Sequence, residues 1–136
     1  MTALALNAGI AARSDDLERE LDLVDLNCRS LVHLARLVTA EMAAAGRGRV
    51  LITASIAEAF PGPYQAAYNA SKAFARSFGI ALRHELRDRG VSVTVLEPGV
   101  TDTSIFARAD QETTILGGAA PRDDARDVAA QAFEAL

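Results

Sequence analysis

Val50-Leu51-Ile52-Thr53-Ala54-Ser55 opens the stretch that decides the fold, and Val91-Ser92-Val93-Thr94-Val95-Leu96 closes it. The first run is short and continuously apolar up to Thr53, the pattern of a strand covered on both faces. The second is rich in valine and bounded by Gly90 and Pro98-Gly99, which predicts another strand. Between them, after the turn-forming Pro61-Gly62-Pro63, apolar residues recur at threes and fours as Ala67, Ala70, Phe74, Phe78, Leu82 and Leu86. That period predicts a helix from Tyr64 or Gln65 to Arg89, with Gly90 as its stop.

Upstream, the pattern from Ser14 to Ala45 is helical, with Leu17, Leu21, Val24, Leu31, Leu34, Leu37, Val38 and Met42 as its apolar positions. Ser14, followed by Asp15, Asp16 and Glu18, suits its start, and Gly46-Arg47-Gly48 ends it. Leu4-Ala5-Leu6 reads as a first strand stopped by Asn7-Ala8-Gly9. After Pro98-Gly99 a short helical turn at 105–109, a loop through Gly117-Gly118 and a last helix from Asp123 to Leu136 are expected. Strands alternating with helices predict an α/β fold: a three-stranded parallel sheet with crossover helices, in one domain over 1–136. Ligands of such sheets lie beyond the carboxyl ends of the strands. That rule singles out Asn7-Ala8-Gly9, Ala54-Ser55 and Glu97-Pro98-Gly99.

Composition narrows the function classes. Half of the 136 residues are apolar and spread throughout, and the formal net charge is −4. Basic and acidic residues are mixed along the chain, so no nucleic-acid or membrane-surface partner is expected. Cys28 is a lone cysteine, read as a small buried residue, and His33 and His84 stand apart, so neither a disulfide framework nor a metal site is expected. No apolar run approaches the roughly 20 residues of a membrane span, and no leader pattern is seen. A cytoplasmic location is expected.

Lys72 is the sole lysine beside 13 arginines, and it follows Tyr68 by four positions. Positions four apart share one face of a helix. Arginine is a fixed planar cation, whereas lysine is a compact ammonium that sits close to one oxygen. A phenol with a pKa near 10 is a poor acid–base group at neutral pH, and a nearby cation lowers that value. Ser55 adds a hydroxyl just before the same helix. A carbonyl oxygen that gains charge as hydride arrives at carbon needs a hydrogen-bond donor and then a proton. Ser55 suits the donor, Tyr68 the proton and Lys72 the field that tunes Tyr68. Hydride itself requires a nicotinamide, since no side chain donates one.

These residues resemble the short-chain dehydrogenases/reductases, in order and over nearly the whole chain. Asn7-Ala8-Gly9 is similar to the family's Asn-Ala-Gly turn, which braces the central sheet. Ser55 and Tyr68 keep its usual gap of thirteen positions, and Tyr68 and Lys72 form its Tyr-x-x-x-Lys pair. The resemblance implies a partial Rossmann-like, doubly wound sheet and an NAD- or NADP-dependent oxidoreductase acting on a small carbonyl or alcohol. It implies that Asn27 organises a proton-relay water and that Lys72 also binds the nicotinamide ribose. It further implies that Asn7, Ala8, Gly9, Tyr68, Lys72, Pro98, Gly99, Thr101 and Thr103 surround the cofactor, with Thr101 and Thr103 near its carboxamide. A homo-oligomer is implied through helices resembling those around Leu31–Met42 and Phe74–Leu86.

One part of the family's pattern has no match. Gly9, Gly46 and Gly48 do not form the Gly-rich turn after a strand that cradles a pyrophosphate. The resemblance implies a sequence that starts at the family's fourth strand and stops before its usual final one. The alternative function is therefore a non-catalytic remnant that acts only through association. Structural readings remain beside the catalytic ones: Tyr68 as an interfacial aromatic, Asn27 as a hydrogen-bonded helix residue, Thr101 and Thr103 as helix caps. A serine hydrolase is a poor fit, because Ser55 is not in a G-x-S-x-G turn.

Overall fold

A computed structural model describes residues 1–11, 15–102 and 122–136. Three strands, β1 (Ala3–Leu6), β2 (Gly48–Thr53) and β3 (Val91–Leu96), pair in parallel in the order β1-β2-β3. The connection from β1 to β2 is α1 (Leu17–Val24), a π-helical segment (Asp25–Arg29) and α2 (Ser30–Ala44). A 3₁₀ turn (Ile56–Ala59), α3 (Ala66–Leu86) and a second 3₁₀ turn (Arg87–Arg89) lead from β2 to β3, and α4 (Ala125–Glu134) follows. The expected α/β sheet with crossover helices is the observed one. The expected elements at 105–109 and Gly117-Gly118 lie outside the described residues.

The core fills one face of the sheet. Val50 and Ile52 of β2 and Val91 and Val93 of β3 are buried against Leu31, Ala35 and Met42 of α2 and Ala75, Leu82 and Leu86 of α3. Replacing such a residue, Leu82 for instance, by alanine costs about 2–5 kcal/mol. The opposite face receives the end of α4, where Thr94 Oγ1 donates to the Ala135 carbonyl at 2.9 Å. β2 was expected to be covered on both faces, yet Leu51 is only half-buried, because little else among the described residues reaches its side of the sheet.

Two helix details differ from the sequence expectation. The first helix is capped by Asp16, whose carboxylate accepts from the Glu18 and Arg19 N–H groups, so it begins beyond Ser14. Its apolar stripe is also interrupted: Leu17, Leu21 and Val24 are exposed while Leu23 is fully buried. Buried positions run Leu23, Asn27, Leu31, Ala35, Thr39, Met42. From Leu23 to Met42 is 19 residues, against about 18 for five turns of regular α-helix. The π turn absorbs the extra residue. On α3 the expected stripe through Phe74 gives way to Ser71, Ala75 and Gly79. A β-carbon on Gly79 would lie 2.6 Å from Val95 Cγ2, so this helix sits too close to the sheet for large side chains. Where α3 ends, Gly90 adopts φ +73°, and a β-carbon there would lie 2.1 Å from the Gly46 carbonyl oxygen.

Candidate active site

The carboxyl ends of β2 and β3 and the start of α3 bring Ser55, Tyr68 and Lys72 to one rim. Ser55 caps the 3₁₀ turn after β2, its Oγ accepting from the Ala57 N–H at 3.2 Å. Tyr68 lies in the first turn of α3, its phenol near enough to Ser55 for that hydroxyl to favour the phenolate. One turn on, Lys72 is 8 % exposed and donates from Nζ to the Thr53 carbonyl at 3.2 Å. Its ammonium lies 5.8 Å from the Tyr68 ring centroid.

Burial dominates the electrostatics. It pushes the Tyr68 phenol above its ordinary value, and the Ser55 hydrogen bond offsets part of that rise. Lys72 was expected to pull the phenol down. Desolvation of the phenolate works against that pull, and the ammonium donates to the Thr53 carbonyl. Burial likewise lowers the Lys72 ammonium, with the neighbouring Cys28 working against the fall. Cys28, expected in the core, is half-buried in the π segment, and its thiol is raised by desolvation.

Asn27 occupies the π segment and is buried. Its Oδ1 accepts from the Ile10 N–H at 2.9 Å, and its Nδ2 donates to the Ile10 carbonyl at 2.9 Å and to Ser71 Oγ at 3.0 Å. Ser71 in turn donates to the Tyr68 carbonyl at 2.7 Å. The turn after β1 thus reaches α3 through one amide. Gly9 fits tightly into the same place: a β-carbon there would lie 3.3 Å from Asn27 Oδ1 and 3.4 Å from Lys72 Nζ. A hollow of about 20 Å³, room for about one water, is lined by Asn27, Ser30, Thr53 and Lys72 among others. Thr53 Oγ1 is buried there without a hydrogen-bond partner. Sequence reasoning gave no role to Ser71 or Thr53. The available signals were Ser71's place three residues after Tyr68 and Thr53's place at the strand end below Ser55.

The Pro98-Gly99 segment joins the rim through its backbone, the Pro98 carbonyl accepting from the Ile56 N–H at 3.2 Å. Thr101 donates its hydroxyl to the Gly99 carbonyl at 3.2 Å and bridges to Asp123. Asn7 and Ala8 are exposed at the end of β1. Thr103 lies outside the described residues. No cluster of metal-ligating side chains occurs among the described residues, and no helix among them is long and apolar enough to cross a membrane.

The chemistry of the donor set fits the nicotinamide-ribose end of an NAD(P) molecule. Lys72 carries three donors and spends one on Thr53, and Gly9 keeps the adjoining backbone close. The described residues offer no comparable counterpart for a pyrophosphate.

The family model described as short chain dehydrogenase matches residues 1–114. A probable NADP-dependent dehydrogenase of Haemophilus influenzae is 32% identical over 109 residues, covering 76% of this chain and 43% of that protein. An NADP-dependent 3-hydroxy acid dehydrogenase of Salmonella typhi is also 32% identical over 109 residues, covering 76% and 44%. The closed form of serine dehydrogenase complexed with NADP+ superposes with a TM-score of 0.88 at 26% identity, covering 98% of this chain and 58% of that one. The chain spans less than half the length of these curated relatives. A fold shared across 98% of the chain and a family match over residues 1–114 place it: the chain belongs to the short-chain dehydrogenase family.

Proposed function

We propose that this chain carries the acid–base centre of an NAD(P)-dependent oxidoreductase that interconverts a carbonyl and an alcohol. The observation that carries this reading is the convergence at one rim of Ser55, Tyr68 and the buried Lys72, whose ammonium lies 5.8 Å from the Tyr68 ring centroid. A bound nicotinamide supplies or accepts the hydride. Tyr68 gives the proton to the carbonyl oxygen or takes it from the alcohol, which is worth about 10²–10⁴-fold in rate. Ser55 donates a hydrogen bond to the same oxygen as charge develops on it. Lys72 would hold the ribose hydroxyls, and its ammonium lies 5.8 Å from the ring of the phenol it serves. Asn27 shapes the water-sized hollow through which Lys72 can be reprotonated. Asn7, Ala8, Gly9, Pro98, Gly99 and Thr101 would line the nicotinamide side. The relatives named for NADP and for 3-hydroxy acids make that cofactor and that substrate class the first to test.

The test is Tyr68→Phe in the full-length protein, assayed with NADPH against a panel of 3-oxo acids and simple ketones. Turnover is expected to fall about 10²–10⁴-fold, with cofactor binding and thermal unfolding near wild type. Near-normal turnover would sink the assignment. A second reading, a protein that acts through association, is favoured by the exposed Leu17, Leu21 and Leu37. Full-length protein that neither binds dinucleotide nor turns over any of the panel would support it.

A further inference from the structure

Arg76 has no part in the chemistry described so far, yet it touches both loops that deliver it. It lies one turn beyond Lys72 on α3, with Nε 2.9 Å from Glu97 Oε1 and 3.1 Å from Glu58 Oε1. Glu58 belongs to the 3₁₀ turn that Ser55 caps, and Glu97 links β3 to Pro98-Gly99. Exposed ion pairs contribute little, since water serves both charges equally well. This one differs in two ways. The Glu58 side chain is only 14% exposed, and a single guanidinium nitrogen is shared between carboxylates from two separate loops. Two backbone hydrogen bonds run alongside, from Ala54 N to Leu96 O at 2.8 Å and from Ile56 N to Pro98 O at 3.2 Å. They flank Ser55 in sequence but leave its side-chain direction to the turn that holds Glu58.

We propose that Arg76 is a positioning residue: by drawing Glu58 and Glu97 together it holds the Ser55 turn where the serine hydroxyl meets Tyr68. Its importance for turnover rests on the reading of Ser55 and Tyr68 as the reacting pair; its geometry does not. Without the cation, two carboxylates face each other across the gap between the loops, and like charges push apart. The 3₁₀ turn that carries Glu58 and that the Ser55 side chain caps is the part free to yield, since backbone hydrogen bonds hold Ala54 and Ile56 and Glu97 lies one residue beyond the strand.

The chain has two tyrosines and no tryptophan, so in a Tyr64→Phe background phenolate absorbance reports Tyr68 alone. Ser55→Ala sets the scale: losing a hydrogen bond that lowers the phenol should raise its titration midpoint. Arg76→Met is expected to raise it in the same direction, by roughly half that amount or more, and to add almost nothing on top of Ser55→Ala, as coupled sites do. Arg76→Lys should restore most of the wild-type midpoint, because a compact ammonium still fits between two carboxylates. Adding Glu58→Gln and Glu97→Gln to Arg76→Met should also restore it, which bare loss of packing would not allow. Circular dichroism establishes that each variant is folded through the titration, and Arg76→Gln replaces Arg76→Met should the latter not fold. An unchanged midpoint in the folded variant overturns the proposal, and so does a shift that persists in full on the Ser55→Ala background. A protein without turnover that still shows the coupled shift would remove the oxidoreductase reading and leave the role of Arg76 standing.

Discussion

Asn27 closes on Ile10 from both sides of one amide, accepting its N–H and donating to its carbonyl, each at 2.9 Å. The side chain thereby does for the turn after β1 what a neighbouring strand would do, and its remaining N–H reaches Ser71 on α3. Asn27→Ala leaves the part-buried Ile10 groups and the buried Ser71 hydroxyl short of a partner, a loss of about 1–3 kcal/mol. Asn27→Asp keeps the shape but sets an oxygen against the Ile10 carbonyl, so it should cost about as much. Urea unfolding of the two variants checks this; a loss confined to a few tenths of a kcal/mol would show that water replaces the bracket without penalty.

Lys72 gives stability a pH dependence whose sign follows from its lowered folded-state value. Below that value both folded and unfolded chains carry the proton, and the folded state bears the whole cost of burying the charge. Between it and the ordinary 10.5 the unfolded chain binds more protons, so stability rises with pH. Tyr68, whose phenol is raised from 10.0, works oppositely, and its contribution is lost as pH climbs beyond that ordinary value. Wild type should therefore gain on Lys72→Met as pH rises from neutrality toward 10. Denaturation midpoints of the two proteins across that range supply the check, and a constant difference would contradict the burial argument.

Self-association is expected of the chain. Leu17, Leu21 and Leu37 are each more than half exposed, and Phe74 adds an aromatic surface stacked on Phe78. Covering such area gains about 25 cal/mol per Å². β1 has no second sheet neighbour among the described residues, and an unpaired strand edge invites pairing with another chain. Light-scattering chromatography should give a dimer or larger species, and Leu37→Glu should shift it toward monomer. A sharp monomer peak with cooperative melting in the unmodified chain would count against this.

The strands were legible because short apolar runs closed by Gly, Pro or Asn-Ala-Gly have few alternatives: Leu4–Leu6, Val50–Thr53 and Val91–Leu96 all fall within β1, β2 and β3. The rim followed from their order, and Ser55, Tyr68 and Lys72 do meet there. Which face of a helix turns inward was less legible. Hydropathy favours Phe74, whereas close approach to the sheet selects Ala75 and Gly79, and no period separates the two. Arg76 was illegible for another reason. A charge on a helix reads as a solvated position, and its two acceptors come from loops 18 positions before it and 21 after.

A helix with one residue too many for its turns is also a place where length can change. Removing one residue from Asp25–Arg29 would let α1 and α2 merge into a single regular helix with its backbone ladder complete. Leu23 and Met42 would then stand 18 residues apart, about five regular turns, so the cost would fall within the turn itself. Leu23 would keep its inward face, but Asn27 lies within the widened turn itself and would no longer aim its amide at Ile10. Insertions and deletions in this segment are therefore filtered by the rim they disturb, with the helix itself indifferent to them.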